Sequence, residues 1–223
     1  MSDSGAEADV KIYLSRLHYP VTTLGPGRRV GIWFQGCSIR CPGCISADTW
    51  VQGRTATTVA EVVSAVARWL PEANGVTISG GEPFDQPDAL AALLVDLPLA
   101  VDQDVLVFSG YPFEHIASHS SLVGGQIDAL ISDPYRVDMP QTLPLRGSDN
   151  QRLHQLTDLG RDRFSAFQAP VTAGHRSLDV MFDTDGTVWL AGIPRPGDMD
   201  RLRDILGAQG HNSHITAAPS RTR

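Results

Sequence analysis

The stretch RVGIWFQGCSIRCPGC, Arg29 to Cys44, decides how the rest of the chain is read. Its opening, Arg29 to Gln35, is rich in β-branched and aromatic side chains and predicts a strand. That strand runs into a loop holding all three cysteines of the 223-residue chain, Cys37, Cys41 and Cys44. Disulfides alone cannot use an odd number of thiols, so the cluster points to metal or redox chemistry in a reducing compartment. A four-iron, four-sulfur cluster is normally held by four thiolates. Three leave one iron open to a small molecule, and C-x3-C-x2-C suits a loop wrapped round a compact cluster. Gly36 and Gly43 permit its tight bends and Pro42 restricts them. A Cys3His zinc site with His18 or His115 remains open, though zinc ligands usually come as two separated pairs. Three inert buried thiols, or a disulfide with one free thiol, are the other uses.

Outward from this stretch, strand and helix alternate. Thr58 to Leu70 places Val59, Val62, Val63, Val66, Trp69 and Leu70 on one helical face. Thr58 and Glu61 form a capping box at its start and Pro71 stops it. A strand follows at Gly75 to Ser79, then a helix from Pro87 to Leu97. Asp104 to Gly110 contains an apolar run suited to a strand buried on both faces, the habit of parallel sheets. A short helix is expected within Phe113 to Ser121 and a strand at Ile127 to Asp133. This order implies βαβ units and a parallel sheet. After Asp158 the character changes. Gly160 to Arg176 reads as a linker, and LDVMFDTDGTVWLAG as a hairpin turning at Thr184-Asp185-Gly186. A last helix is expected from about Asp198 to Leu206. The division is thus a tail at 1–9, a core at 10–158, a C-terminal extension at 159–210 and a second tail at 211–223.

The formal charge of −7 argues against a nucleic-acid surface. The acidic, polar start MSDSGAEAD has no leader pattern, and no run reaches the ~18 apolar residues of a membrane helix. The expectation is a cytoplasmic protein that engages neither membrane nor nucleic acid.

A second motif, SGGEPFDQ, Ser79 to Gln86, again follows a strand. Paired glycines let a backbone approach a neighbour closely, and Glu82 adds an acceptor suited to an ammonium group. The plainer reading is a strand-to-helix turn, with Asp85 near the next helix start. A third strand ends in Ser109-Gly110-Tyr111, a weak signal by itself.

Together, FQGCSIRCPGCISADTW, ISGGEPFDQ, VFSGYPFEHI, DALISDPYR and LRGSDNQR, within about Gly31 to Arg152, resemble the radical SAM superfamily, in particular its glycyl-radical-activating branch. The resemblance implies a partial (β/α) barrel of parallel strands with outer helices, here with a small hairpin-helix appendage. The same alternation also fits a doubly wound sheet. It implies that Cys37, Cys41 and Cys44 ligate three irons of a [4Fe-4S] cluster and that the fourth iron chelates S-adenosylmethionine (SAM). Gly80, Gly81, Glu82 and Pro83, then Ser109, Gly110 and Tyr111, would line SAM, and Ser148, Asn150 and Arg152 would sit at its later edge. Arg146 and Arg152 are candidates for its carboxylate, or simply pair with surface acids. Where many relatives carry an aromatic residue beside the third cysteine, this chain has Gly43 and Ile45; Trp33, Phe34 or Trp50 would substitute, with core packing as the simpler reading.

The implied chemistry is one-electron cleavage of SAM to methionine and a 5′-deoxyadenosyl radical, which takes hydrogen from a substrate. It needs no catalytic acid or base, and none is nominated. The leading expectation is an activase that acts on a glycine of a partner glycyl-radical protein or peptide, with flavodoxin or ferredoxin as electron donor. The alternatives are a stand-alone radical SAM enzyme modifying a peptide or metabolite, and a non-enzymatic iron–sulfur or zinc protein.

Overall fold

A computed structural model describes residues 10–118, 125–170, 178–182, 187–195 and 197–211. The predicted turn at 184–186 and the tails at 1–9 and 212–223 lie outside the described residues.

The core is a seven-stranded sheet. Its strands in chain order are β1 (Lys11–Val21), β2 (Arg29–Phe34), β3 (Ala56–Thr58), β4 (Gly75–Gly80), β5 (Asp104–Phe108), β6 (Ala129–Ser132) and β7 (Arg152–Gln155). They lie in the spatial order β3-β1-β2-β4-β5-β6-β7. The central four, β2, β4, β5 and β6, are parallel, whereas β1, β3 and β7 join antiparallel at the edges. The fold is therefore mixed α/β around a largely parallel sheet. Four strands match the expected alternation. The antiparallel three were not anticipated, because each is short or interrupted by polar residues that hide its period. In β1 only Ile12, Leu14 and Val21 are buried.

Alternation along the strands sorts the core into two faces. Val30, Ile32 and Phe34 of β2, Val76 and Ile78 of β4, and Val105 and Val107 of β5 share one cluster with the helices. Helix α1 (Val59–Ala67) contributes Val59, Val62 and Val66, and α2 (Pro87–Asp96) contributes Leu90, Leu93 and Leu94. The short α3 (Phe113–Ala117) adds Ile116. The capping box forms as expected: Glu61 N–H donates to Thr58 Oγ1, and Thr58 N–H donates to the Glu61 carboxylate.

The opposite face is covered by the C-terminal part of the chain. The stretch read as a linker instead opens in helix α4 (Asp158–Phe164), capped by Thr157, whose hydroxyl oxygen accepts from Gly160 N–H. Phe164 is fully buried against Leu106, Ala129 and Ile131. Two largely polar helical turns with only Leu159 and Phe164 as large apolar residues leave no periodic stripe to recognise. Beyond α4, β8 (Leu178–Phe182) and β9 (Val188–Gly192) pair antiparallel as predicted. Met181 and Ala191 pack beside Trp33. The Trp189 ring meets Trp33 edge-on, with centroids 5.1 Å apart, and Asp179 accepts hydrogen bonds from Thr22 and Thr23. Helix α5 (Asp198–Ala208) ends the described chain.

At the amino ends of the parallel strands, Arg29 and Asp104 form a fully buried ion pair at 2.6 Å. Arg29 also donates to Thr77 Oγ1 and to the Val76 carbonyl. This pair ties β2, β4 and β5 together at the end opposite the cysteine loop.

Candidate functional site

The carboxyl ends of β2, β4 and β5 lead into the cysteine loop, the SGGEPFDQ loop and the SGY turn. In parallel α/β sheets, ligands gather at this end, where loops diverge from a rigid frame. Here the three loops border one cavity of about 630 Å³. Its size is in the ordinary range for sites that hold a small organic cofactor.

The loops are locked together by backbone contacts. Gly81 N–H donates to the Phe34 carbonyl and Glu82 N–H to the Gly36 carbonyl, both at 2.8 Å. Gly80 has φ +101°, and a Cβ at Gly81 would lie 2.1 Å from Gly36 O. The paired glycines therefore serve first to seat the second loop on the cysteine loop. On the other side, Gly36 N–H donates to Thr49 O, Cys37 N–H to Trp50 O, and the Gln35 amide to Val51 O.

A cluster of side chains outside the cavity binds the same three loops. Ser38 donates to the Asp85 carboxylate from its backbone N–H at 2.7 Å and its hydroxyl at 2.8 Å. The Tyr111 hydroxyl donates to Asp85 at 2.8 Å, and its ring stacks on His115. Asp85 is thus more than a helix-start residue, a role the sequence did not reveal.

Glu82 is almost wholly buried. Its carboxylate accepts from Ser109 Oγ at 2.9 Å, Gly110 N–H at 2.8 Å and Phe84 N–H at 3.1 Å. Burial nevertheless pushes its carboxyl up to about 7, outweighing these donors. Glu82 joins the second loop to the SGY turn.

All three cysteine side chains line the cavity, Cys37 buried and the others half-buried. Burial raises all three thiols, Cys41 to about 11. N–H donors oppose it: the Arg40 and Ile39 backbones at Cys37, the Tyr135 backbone at Cys41, and the Ser46 backbone and Trp50 indole at Cys44. Without a cation the thiols stay protonated; a bound iron reverses this balance. Among the described residues no group of His, Cys, Asp or Glu side chains is arranged to hold a single metal ion. A cubane makes a different demand, one thiolate to each of three irons, and three soft donors on one loop beside an open cavity fit it. The histidines considered for zinc lie elsewhere: His18 against the Trp189 ring and His115 against Tyr111.

Of the predicted cofactor-lining residues, Gly80, Gly81, Glu82, Ser109 and Gly110 border the cavity. Pro83 is buried and does not line it, and Tyr111 faces Asp85 and Ser38. Ser148, Asn150 and Arg152 do not line it. The Ser148 hydroxyl accepts from Arg136 N–H, the Asn150 amide donates to Pro134 O, and Arg152 pairs with Glu114 and Asp133. Their loop instead presents Gly147 and Gln151. Arg146 is buried too, donating to Phe167 O and Gln168 Oε1. Of the three aromatic candidates only Trp50 reaches the cavity; Trp33 and Phe34 are core. Sequence reasoning missed that Ile193, Pro194, Arg195, Met199, Asp200 and Arg203 of the extension also line the cavity.

This arrangement of three cysteines, a glycine-paired loop and a parallel-strand edge defines a class. A family described as "4Fe-4S single cluster domain" matches residues 23–154. The chain belongs to that family, within the glycyl-radical-activating branch of the radical SAM enzymes. Its cofactors are accordingly one [4Fe-4S] cluster and SAM. The anaerobic ribonucleoside-triphosphate reductase-activating protein of enterobacteria phage T4 is 34% identical over 141 residues, covering 60% of this chain and 88% of the phage protein. The protein of the same name from Escherichia coli K12 is 28% identical over 148 residues, or 62% and 96% of the two chains. The pyruvate formate-lyase-activating enzyme of Clostridium pasteurianum is 34% identical over 122 residues, half of each chain. Among the described residues no helix is long and apolar enough to cross a membrane.

Proposed function

We propose that this protein activates a glycyl-radical enzyme of the anaerobic ribonucleotide reductase type. Cys37, Cys41 and Cys44 hold the cluster, and Gly80, Gly81, Ser109 and Gly110 form the wall against which SAM lies. The observation that carries this reading is the convergence of the three cysteines and two glycine-bearing strand ends on one cavity. Held by Cys37, Cys41 and Cys44, a [4Fe-4S] cluster would supply the single electron for reductive cleavage of SAM lying against Gly80, Gly81, Ser109 and Gly110, and a glycine of the partner would be the hydrogen donor.

The chain's own residues orient and shield. Glu82 fixes the SGY turn to the second loop, and Asp85 holds the cysteine loop from outside through Ser38 and Tyr111. Ile39, Phe108, Tyr135 and Leu145 give the cavity apolar walls that limit stray hydrogen donors and water. Helices on one face of the parallel strands and the cavity at their carboxyl ends support a partial barrel. The extension from residue 159 is the appendage to that core. The electron donor we propose is a flavodoxin or ferredoxin, and the compartment the cytoplasm.

The test is anaerobic reconstitution with iron and sulfide, then dithionite and SAM. The expected result is 5′-deoxyadenosine and, with a glycyl-radical protein encoded beside this gene, a glycyl doublet in the electron paramagnetic resonance spectrum. A loaded cluster that forms no 5′-deoxyadenosine overturns the proposal.

A further inference from the structure

The cavity has a wall that lies outside the residues matched by the family. The family match ends at residue 154, yet Ile193, Pro194, Arg195, Met199, Asp200 and Arg203 line the same cavity as the cysteines. Its charged side chains, thiols apart, are few: Glu82, Asp200, Arg195 and Arg203 among the described residues. Glu82 is occupied by three donors. Arg203 pairs with Asp200 at 3.0 Å and approaches Asp204 at 3.7 Å. That leaves the half-buried Arg195, whose guanidinium has neither ion pair nor hydrogen bond among the described residues. Its backbone is nonetheless held in place. Arg195 N–H donates to Asp198 Oδ2 at 2.9 Å, its carbonyl accepts from Asp198 N–H at 3.1 Å, and the preceding Pro194 carbonyl accepts from the Gln141 amide at 3.0 Å.

A partly desolvated guanidinium on a fixed backbone, facing a ligand-sized cavity, is suited to a carboxylate. Its planar fork gives two parallel charge-assisted hydrogen bonds, the strongest neutralisation such a group can find. The arginines of the core that the sequence offered for this task are committed elsewhere, Arg146 to the 167–168 turn and Arg152 to Glu114 and Asp133. We propose that Arg195, supplied by the C-terminal extension, binds the α-carboxylate of SAM. This rests on the reading of the cavity as the SAM site. It gives the extension a part in cofactor binding that chains ending near residue 154 must fill differently.

The experiment uses the full chain with its cluster reconstituted anaerobically. SAM dissociation constants are measured for wild type, Arg195→Ala, Arg195→Lys and Arg203→Ala, after iron content has been matched. Loss of a charge-assisted pair weakens SAM binding by about ten- to a hundred-fold in Arg195→Ala. Arg195→Lys recovers part of the loss, and Arg203→Ala stays within about two-fold because its charge is already paired. Decarboxylated SAM supplies the second arm: wild type and Arg195→Ala bind it alike. If Arg195→Ala binds SAM within about two-fold of wild type, or if its defect is equally large with decarboxylated SAM, the assignment of Arg195 is overturned. Failure of the wild type itself to bind or cleave SAM strikes the proposed function instead, so the two failures are separable.

Discussion

Replacing Gly81 with alanine tests whether two loops must touch at their backbones for the site to exist. Gly81 lies outside the left-handed region, so alanine meets no backbone penalty there. The obstacle is space: the new Cβ would sit 2.1 Å from Gly36 O and 2.7 Å from Gly36 C. Ordinary contact begins at 3.4 Å, so the loops must part by 3.4 − 2.1, about 1.3 Å. The hydrogen bond from Glu82 N–H to Gly36 O, now 2.8 Å, would stretch to about 4.1 Å and be lost. An unmet buried bond costs about 1–3 kcal/mol and the overpacking a similar amount, so the two together cost roughly 2–6 kcal/mol. Urea unfolding of the apo-chain reads that cost, and iron per chain after reconstitution reads the damage to the cysteine loop. Gly207→Ala is the control: it lies in α5 with nothing within 4 Å of the added carbon, and helix propensity makes it neutral or stabilising by up to ~1 kcal/mol. A Gly81→Ala chain that unfolds within ~0.5 kcal/mol of wild type and loads equal iron refutes the reasoning.

Three further outcomes follow from the same contacts. Burial raises the Glu82 carboxyl from 4.5 to about 7, so its contribution to stability is whole below pH 4.5 and is lost as pH rises through about 7; Glu82→Gln flattens that part of the apo-chain's stability–pH curve, and an unchanged curve contradicts the assignment. Arg29→Ala strands the Asp104 carboxylate in the core and costs about 3–5 kcal/mol in urea unfolding; a cost below ~1 kcal/mol would mean that the pair is expendable. Asp85→Ala removes three acceptor contacts from Ser38 and Tyr111, and amide exchange at Ser38 to Cys41 accelerates about ten-fold while the core amides hold; exchange that remains at wild-type rates would show the loop to be held from elsewhere.

The radical-generating end of the site was legible because it is local. Cys37, Cys41 and Cys44 lie within eight positions, and each glycine-bearing motif follows its strand directly. Proximity in the chain then nearly guarantees proximity in space. The helices were legible for a related reason: α1 and α2 carry long apolar stripes, and the capping box marks a helix start. Strands β3 and β7 and helix α4 escaped notice because they are short and polar, and the longer β1 because polar residues such as Ser15, Arg16 and His18 interrupt its apolar pattern. Phe164 carries no helical stripe by itself; it becomes a core residue only when it meets β5 and β6.

By itself, the sequence determined the chemistry: three thiols on one loop, the strands that aim that loop, and the family to which both belong. Only the tertiary structure decided what surrounds that chemistry. It turned Tyr111, Ser148, Asn150 and Arg152 away from the cavity, made Asp85 and Glu82 the ties between loops, and brought Arg195 to the cavity wall from the far end of the chain. The reason is physical. A motif records which atoms a short segment offers, whereas the direction a side chain faces depends on hydrogen bonds and packing with partners tens of residues away, for which no short pattern exists.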